Sequence, residues 1–195
     1  LTAENDKTRF IVFTAMMTAV CFAATYINIR FSLGGASSTT MIHLGSAACF
    51  LTAMLMGPLA GGIASGIGMG LFDLLNGYAM TSPWTVVIKF LTGFAVGKIA
   101  YSHGKSGNSQ KTNLVACLVG GVVSLIGYAV SDFTNTIIQF YIPGSPHTGS
   151  AVLAGLITAG SGMVGSVLTT LLAIIIALPL NDSIKKALGR SQLQI

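Results

Sequence analysis

Two charged side chains stand where a soluble surface cannot explain them. Asp73 and Lys89 each sit in an apolar stretch of G-L-F-D-L-L-N-G-Y-A-M-T-S-P-W-T-V-V-I-K-F (70–90), on either side of a turn holding Asn76, Gly77, Tyr78 and Pro83. A lone charge at the centre of a spanning helix costs about 2.5–3.5 kcal/mol, so it faces a partner, a cavity or a ligand. A second constellation lies later in the chain: Tyr128, Asp132, Asn135 and Gln139 recur at steps of four, three and four, on one side of a helix. Together these groups offer donors and acceptors to a small polar molecule. Trp84 and Tyr78 add rings that stack on a planar ligand or sit in an interfacial belt. Arg30 is a ligand contact or an interfacial anchor, and His43 a pocket lid or a residue opening a helix. An ion pair of Lys89 with Asp73 or Asp132 is the structural alternative, although desolvation offsets much of its Coulomb gain. Asp73 alternatively caps the loop after its helix, and interhelical hydrogen bonds would alternatively occupy the Tyr128–Gln139 stripe.

The rest of the chain says what holds these groups. Of 195 residues, 52% are hydrophobic and 8% charged, against roughly 25% charged in soluble domains. The mean hydropathy is +0.78. We expect an all-α membrane protein, six transmembrane helices in one compact bundle, with spans near 9–30, 43–57, 58–75, 83–101, 113–142 and 150–178. The 24 glycines suit close helix contact. Gly62, Gly66, Gly70 and Asp73 share one face, as do Lys89, Gly93 and Gly97, and as do Gly155, Ala159, Gly162 and Ser166. Residues 31–42 read as a mobile Gly/Ser-rich loop and 143–149 as a turn. Pro83 suits the first turn of a helix, and Pro179 is expected to stop the last one. Ala15, Ala19 and Ala23 form a small-xxx-small stripe, a packing seam or a docking face. The run at 9–30 is long for a signal-peptide core and is preceded by Glu4 and Asp6, which favours a span over a cleaved leader.

Six spans place both termini on one side. If that side is cytoplasmic, eight of the ten basic residues (all but Arg30 and Lys89) lie inside or at the inner boundary. The polar candidates then gather in the outer half, leaving an inner half almost free of charge. A conduit needs polar groups along its whole length, so this distribution favours binding over conduction.

Enzyme classes fit poorly. There is no G-x-x-x-x-G-K-[ST] loop, no H-E-x-x-H and no carboxylate cluster for a metal, and no cofactor is expected. Ala159-Gly160-Ser161-Gly162 approaches the G-x-S-G of rhomboid-type proteases, but no later span carries a histidine to activate the serine. Cys21, Cys49 and Cys117 form no CxxC pair and read as small buried hydrophobes.

The order of M-I-H-L-G (41–45), G-P-L-A-G-G (57–62), F-D-L-L (72–75) and P-W-T-V-V-I-K (83–89) resembles the S components of energy-coupling factor (ECF) transporters. The resemblance is to the riboflavin-type group that includes hydroxymethylpyrimidine and pyridoxine carriers. It implies a substrate-binding subunit of an ATP-driven vitamin importer in a bacterial plasma membrane. Its Ala15/Ala19/Ala23 stripe would dock the coupling transmembrane subunit EcfT, and two ABC-type ATPases would supply the energy. It further implies that the subunit topples in the membrane to deliver cargo, with a pocket in the outer ends of spans four to six and the first loop as lid. The expected ligand is pyridoxine-like or hydroxymethylpyrimidine-like. Asp132 and Asn135 would bond ring nitrogens or hydroxyls, and Lys89 an oxygen. Riboflavin, pantothenate or a deazapurine precursor stay open, as do a membrane assembly protein and a stand-alone carrier.

Overall fold

The computed structural model describes residues 3–32, 39–142 and 150–187. The expected turn at 143–149, part of the expected loop (33–38) and Arg190 lie outside the described residues. The first apolar run forms α1 (Ala3–Tyr26), so the polar start is already helical and the helix ends before 30. The next segment, expected as a loop, contains a hairpin. Asn28–Ser32 (β1) pairs antiparallel with Thr39–His43 (β2), Asn28 opposite His43 and Ser32 opposite Thr39. Ile29, Phe31, Thr39, Thr40 and Ile42 are β-branched or aromatic, and this local preference prevails over the Gly/Ser content of the stretch between them. The hairpin is tied down by Leu44 N donating to the Ile27 carbonyl (3.1 Å) and Thr169 Oγ1 donating to the Met41 carbonyl (3.3 Å).

Next come α2 (Gly45–Met56), α3 (Pro58–Leu75), α4 (Ser82–Ala100), α5 (Gln110–Phe140) and α6 (Ala151–Ala187). Five of these six helices are long and apolar enough to cross a membrane, and α2 is the exception. Its 12 residues rise only ~18 Å, against a hydrocarbon core of about 30 Å. Every one of them is buried, so α2 forms the axis around which the longer helices pack. Phe50, Met54 and Cys49 lie at its heart against Val96, Ala116, Cys117, Ala173 and Ala177. Gly57, at φ +86°, permits the reversal out of α2, and Pro58 opens α3 where its missing N–H leaves no gap.

The glycine faces bring backbones together. A side chain at Gly62 or Gly66 would press on α4, one at Gly61 on α2, and one at Gly93 or Gly97 on α3. Ser65 Oγ bridges the same seam to the Lys89 carbonyl at 2.8 Å. The last helix differs from expectation: α6 runs through Pro179 to Ala187. Proline removes one N–H and leaves the carbonyl four residues earlier without its usual donor, and here the helix absorbs that loss without ending.

Candidate functional site

The helices splay at the end that holds the hairpin and the α3–α4 turn, and a cavity of about 290 Å³ opens between them. Lys89, from the second turn of α4, forms its floor. The side chain is only 2% exposed. Its Nζ donates to Ser46 Oγ of α2 (3.0 Å) and Ser124 Oγ of α5 (3.2 Å), and lies 5.0 Å from the Tyr128 ring centroid. Among the described residues, no carboxylate lies within ion-pair distance of it. The alternative reading, an ion pair with Asp73 or Asp132, is therefore absent; serine hydroxyls and an aromatic face take its place.

Asp73 is on the wall nearer the opening, where it accepts a hydrogen bond from Thr85 Oγ1 at 2.5 Å. Ser82 Oγ, donating to the Gly70 carbonyl at 2.8 Å, clips the same turn of α3 to α4. On α5 the polar stripe faces inward: Tyr128, Asp132, Asn135 and Gln139 all line the cavity. Asn135 Nδ2 donates to Ser131 Oγ (3.1 Å), whereas no described side chain donates to the Asp132 carboxylate. Gly162 on α6 leaves the space that this carboxylate fills.

His43, at the end of β2, also lines the cavity and is 7% exposed. Its Nδ1 has no partner among the described residues. Burial, reinforced by the Lys89 charge, pushes the imidazole from 6.5 down to about 3, so it stays neutral. Tyr78 lines the rim, with the exposed Arg30 guanidinium 5.5 Å from its ring centroid. Arg30 itself does not line the cavity; its Nε donates to Asn28 Oδ1 at 3.2 Å. Asn76 closes the C-terminus of α3, with Nδ2 donating to the Phe72 carbonyl (2.8 Å) and the Tyr26 hydroxyl (3.2 Å). Trp84 is half-buried and outside the lining. Arg30, Asn76 and Trp84 stand apart from the other candidates.

Sequence reasoning missed a wall of hydroxyls. Thr158, Ser161, Ser166, Thr169 and Thr170 of α6 face the cavity, as do Ser124 and Ser131 of α5 and Thr85 of α4. Ser124 was legible, since it extends the Tyr128 stripe by one helical turn. The α6 hydroxyls resemble packing residues in sequence, because serine and threonine serve close helix contact as readily as ligand contact. Among the described residues, no group of three His, Cys, Asp or Glu side chains is placed to hold a metal.

A short buried helix ringed by long apolar ones, with a polar cavity at one end, is the architecture of a membrane protein with room for a small polar solute. The fold is similar to that solved for the S component of a bacterial ECF transporter, with TM-score 0.62 and 19% identity over 94% of this chain and 99% of that one. It is also similar to ThiT from Listeria monocytogenes, with TM-score 0.59 and 20% identity over 93% and 97%. A Pyrococcus woesei protein named only as uncharacterized is 33% identical over 115 residues, 53% of this chain and 74% of that one. The family model described as the ECF-type riboflavin transporter, S component, matches residues 5–186. The chain belongs to that family. It is a substrate-binding S component, a transport subunit and not an enzyme.

Proposed function

We propose that the cavity takes a small, planar, hydroxylated vitamin or precursor of the pyridoxine or hydroxymethylpyrimidine kind from the outer side of the membrane. The observation that carries this reading is Lys89: a buried cation supported by hydroxyls, turned toward an open polar cavity. Size supports it too: at about 290 Å³ the cavity is at the small end of the roughly 300–1,000 Å³ range of ligand pockets, which suits a single substituted ring. Lys89 bonds a ring oxygen, Asp132 and Asn135 bond ring nitrogens or hydroxymethyl groups, and neutral His43 reads a neighbouring donor. Riboflavin is the second reading, favoured by the family's description and by the α6 hydroxyls, which suit a polyol chain.

The basic residues Lys7, Arg9, Lys98, Lys105, Lys111, Lys185 and Lys186 belong to the end away from the cavity. On the positive-inside rule this puts both termini in the cytoplasm, with α2 as the sixth, short crossing and the hairpin on the outer side. Ala15, Ala19 and Ala23 are exposed on α1. They form the face for a coupling transmembrane subunit, which links this chain to two ATPase subunits. Calorimetric titration of the purified protein with a vitamin panel tests the reading. A single-ring vitamin binding one-to-one supports it; binding of riboflavin alone replaces it with the second, and binding of none refutes both.

A further inference from the structure

Charge does not balance at the cavity. The charged side chains among the described residues that line it are Asp73, Lys89 and Asp132, and the His43 imidazole is neutral. Asp73 and Lys89 attract one another across the α3–α4 seam, whereas Asp132, across the cavity on α5, has no cation acting on it. Segments 33–38 and 143–149 contain no Lys or Arg, and their one ionisable residue, His147, is of a type mostly uncharged at neutral pH. Arg30 is exposed over Tyr78, outside the lining. Two carboxylates thus face one ammonium. A neutral ligand that displaced the water would leave Asp132 desolvated and unpaired, which is costly.

The hydroxyls around Asp132 point the same way. Thr136, one turn along α5, donates its proton to the Asp132 carbonyl (2.7 Å). On α6, Thr158 donates to the Ala154 carbonyl (3.0 Å), and Ser161 donates to the Thr158 carbonyl (2.8 Å). All three line the cavity. A hydroxyl has one proton and two lone pairs, so each has only lone pairs left to offer a ligand. The Asp132 carboxylate fills the space that Gly162, next to Ser161, leaves open. This wall is a cluster of acceptors with a negative charge at its centre.

We infer that the ligand is a cation, a single ring whose aminomethyl substituent places an ammonium against Asp132 between α5 and α6. This deepens the proposed function and rests on it. An ammonium brings three donors and no acceptor, so it suits a carboxylate ringed by lone pairs. A hydroxymethyl group in the same place brings one donor and leaves the negative charge unmatched. The α5–α6 wall therefore selects among rings of one size by the charge of their substituent.

The experiment titrates pyridoxine, pyridoxamine and pyridoxic acid into the purified protein at neutral pH; one ring carries hydroxymethyl, aminomethyl or carboxylate at the same position. The hydroxymethyl and aminomethyl forms of an aminopyrimidine make a second pair. The proteins are wild type, Asp132→Asn and Lys89→Met, and ligand-free melting temperatures establish that each is folded. A hydrogen bond to a charged group contributes roughly tenfold to a hundredfold in affinity. We expect the aminomethyl form to bind wild type tighter than the hydroxymethyl form by that factor, on whichever ring binds, and pyridoxic acid to bind weakest of its series. Asp132→Asn should erase the preference, whereas Lys89→Met, which removes a positive charge, should keep it. A hydroxymethyl form that binds wild type as tightly as its aminomethyl partner overturns the cation assignment while leaving vitamin capture intact, whether or not the variants fold. A preference that survives Asp132→Asn, or vanishes in Lys89→Met, overturns the placement at Asp132. Failure of every single-ring compound to bind overturns the capture reading and this inference with it.

Discussion

Two buried lysines, one at each end of the bundle, show how differently the same side chain is used. Lys185, in the last turn of α6, is 6% exposed and donates to the Ser106 carbonyl, with its Nζ 5.8 Å from the Tyr101 ring centroid. Around it the α4–α5 connection is drawn inward. Asn113 and Asn181 both donate to the Gly107 carbonyl, at 2.8 and 3.1 Å, and Tyr101 donates to the Leu55 carbonyl at 2.6 Å. The chain's own backbone carbonyls receive every one of these donors. Lys89 is at least as buried, with two hydroxyls and an aromatic face for partners, but it has a cavity in front of it. A buried cation bonded to the backbone of a loop that it ties to its helix fastens a fold. One that faces open space is left to bind something else.

The contrast breaks most sharply at Gly107. Its φ is +68°, and an added Cβ would meet the Met54 carbonyl. Gly107→Ala should destabilise the protein by about 2–4 kcal/mol, from backbone strain and overpacking together. Denaturation midpoints would show this, and ligand affinity of the folded fraction should not change. Lys89→Met should do the reverse: affinity falls about tenfold to a hundredfold, and the ligand-free melting temperature holds or rises because an uncompensated buried charge is gone. If Lys89→Met unfolds the protein while Gly107→Ala is silent, the two ends have been assigned the wrong way round.

Acid sharpens the comparison at the cavity end. Folded His43 protonates only near pH 3, whereas the unfolded chain takes up that proton near 6.5. Stability from this residue is therefore complete above about pH 6.5 and is lost as the pH falls toward 3. At pH 5 the loss is about 2 kcal/mol. Thermal melts at pH 7 and pH 5 should show the difference, and His43→Gln should reduce it. The smallest effect is expected on the exposed stripe of α1. Ala19→Phe should leave vitamin affinity within a factor of about two, since surface changes rarely exceed 0.5 kcal/mol, yet it should block copurification of the coupling subunit.

The cavity end was more legible in the sequence than the fold around it. Asp73, Lys89 and the Tyr128–Gln139 stripe are polar groups in apolar runs, and cost alone marks them as inward-facing. Helical periodicity placed them on shared faces. The hairpin was hidden because β-branched residues flank a Gly/Ser-rich stretch and no single period prevails over so short a length. Pro179 misled because one missing hydrogen bond does not end a helix that continues to pack on both sides. What supports Lys89 in place of the alternative ion pair was not legible either. Serines look neutral in sequence, and only their placement by α2 and α5 shows that they, and not a carboxylate, support Lys89.

Capture of a vitamin from the outer side is tested most directly by thiol labelling of Ser161→Cys in intact cells. The reagent is membrane-impermeant, and pyridoxine is present or absent outside. Ser161 lines the cavity on α6, and the three native cysteines are buried. Labelling from outside that the vitamin suppresses is the expected result. Labelling only after the cytoplasmic face is exposed, or labelling indifferent to the vitamin, would contradict it.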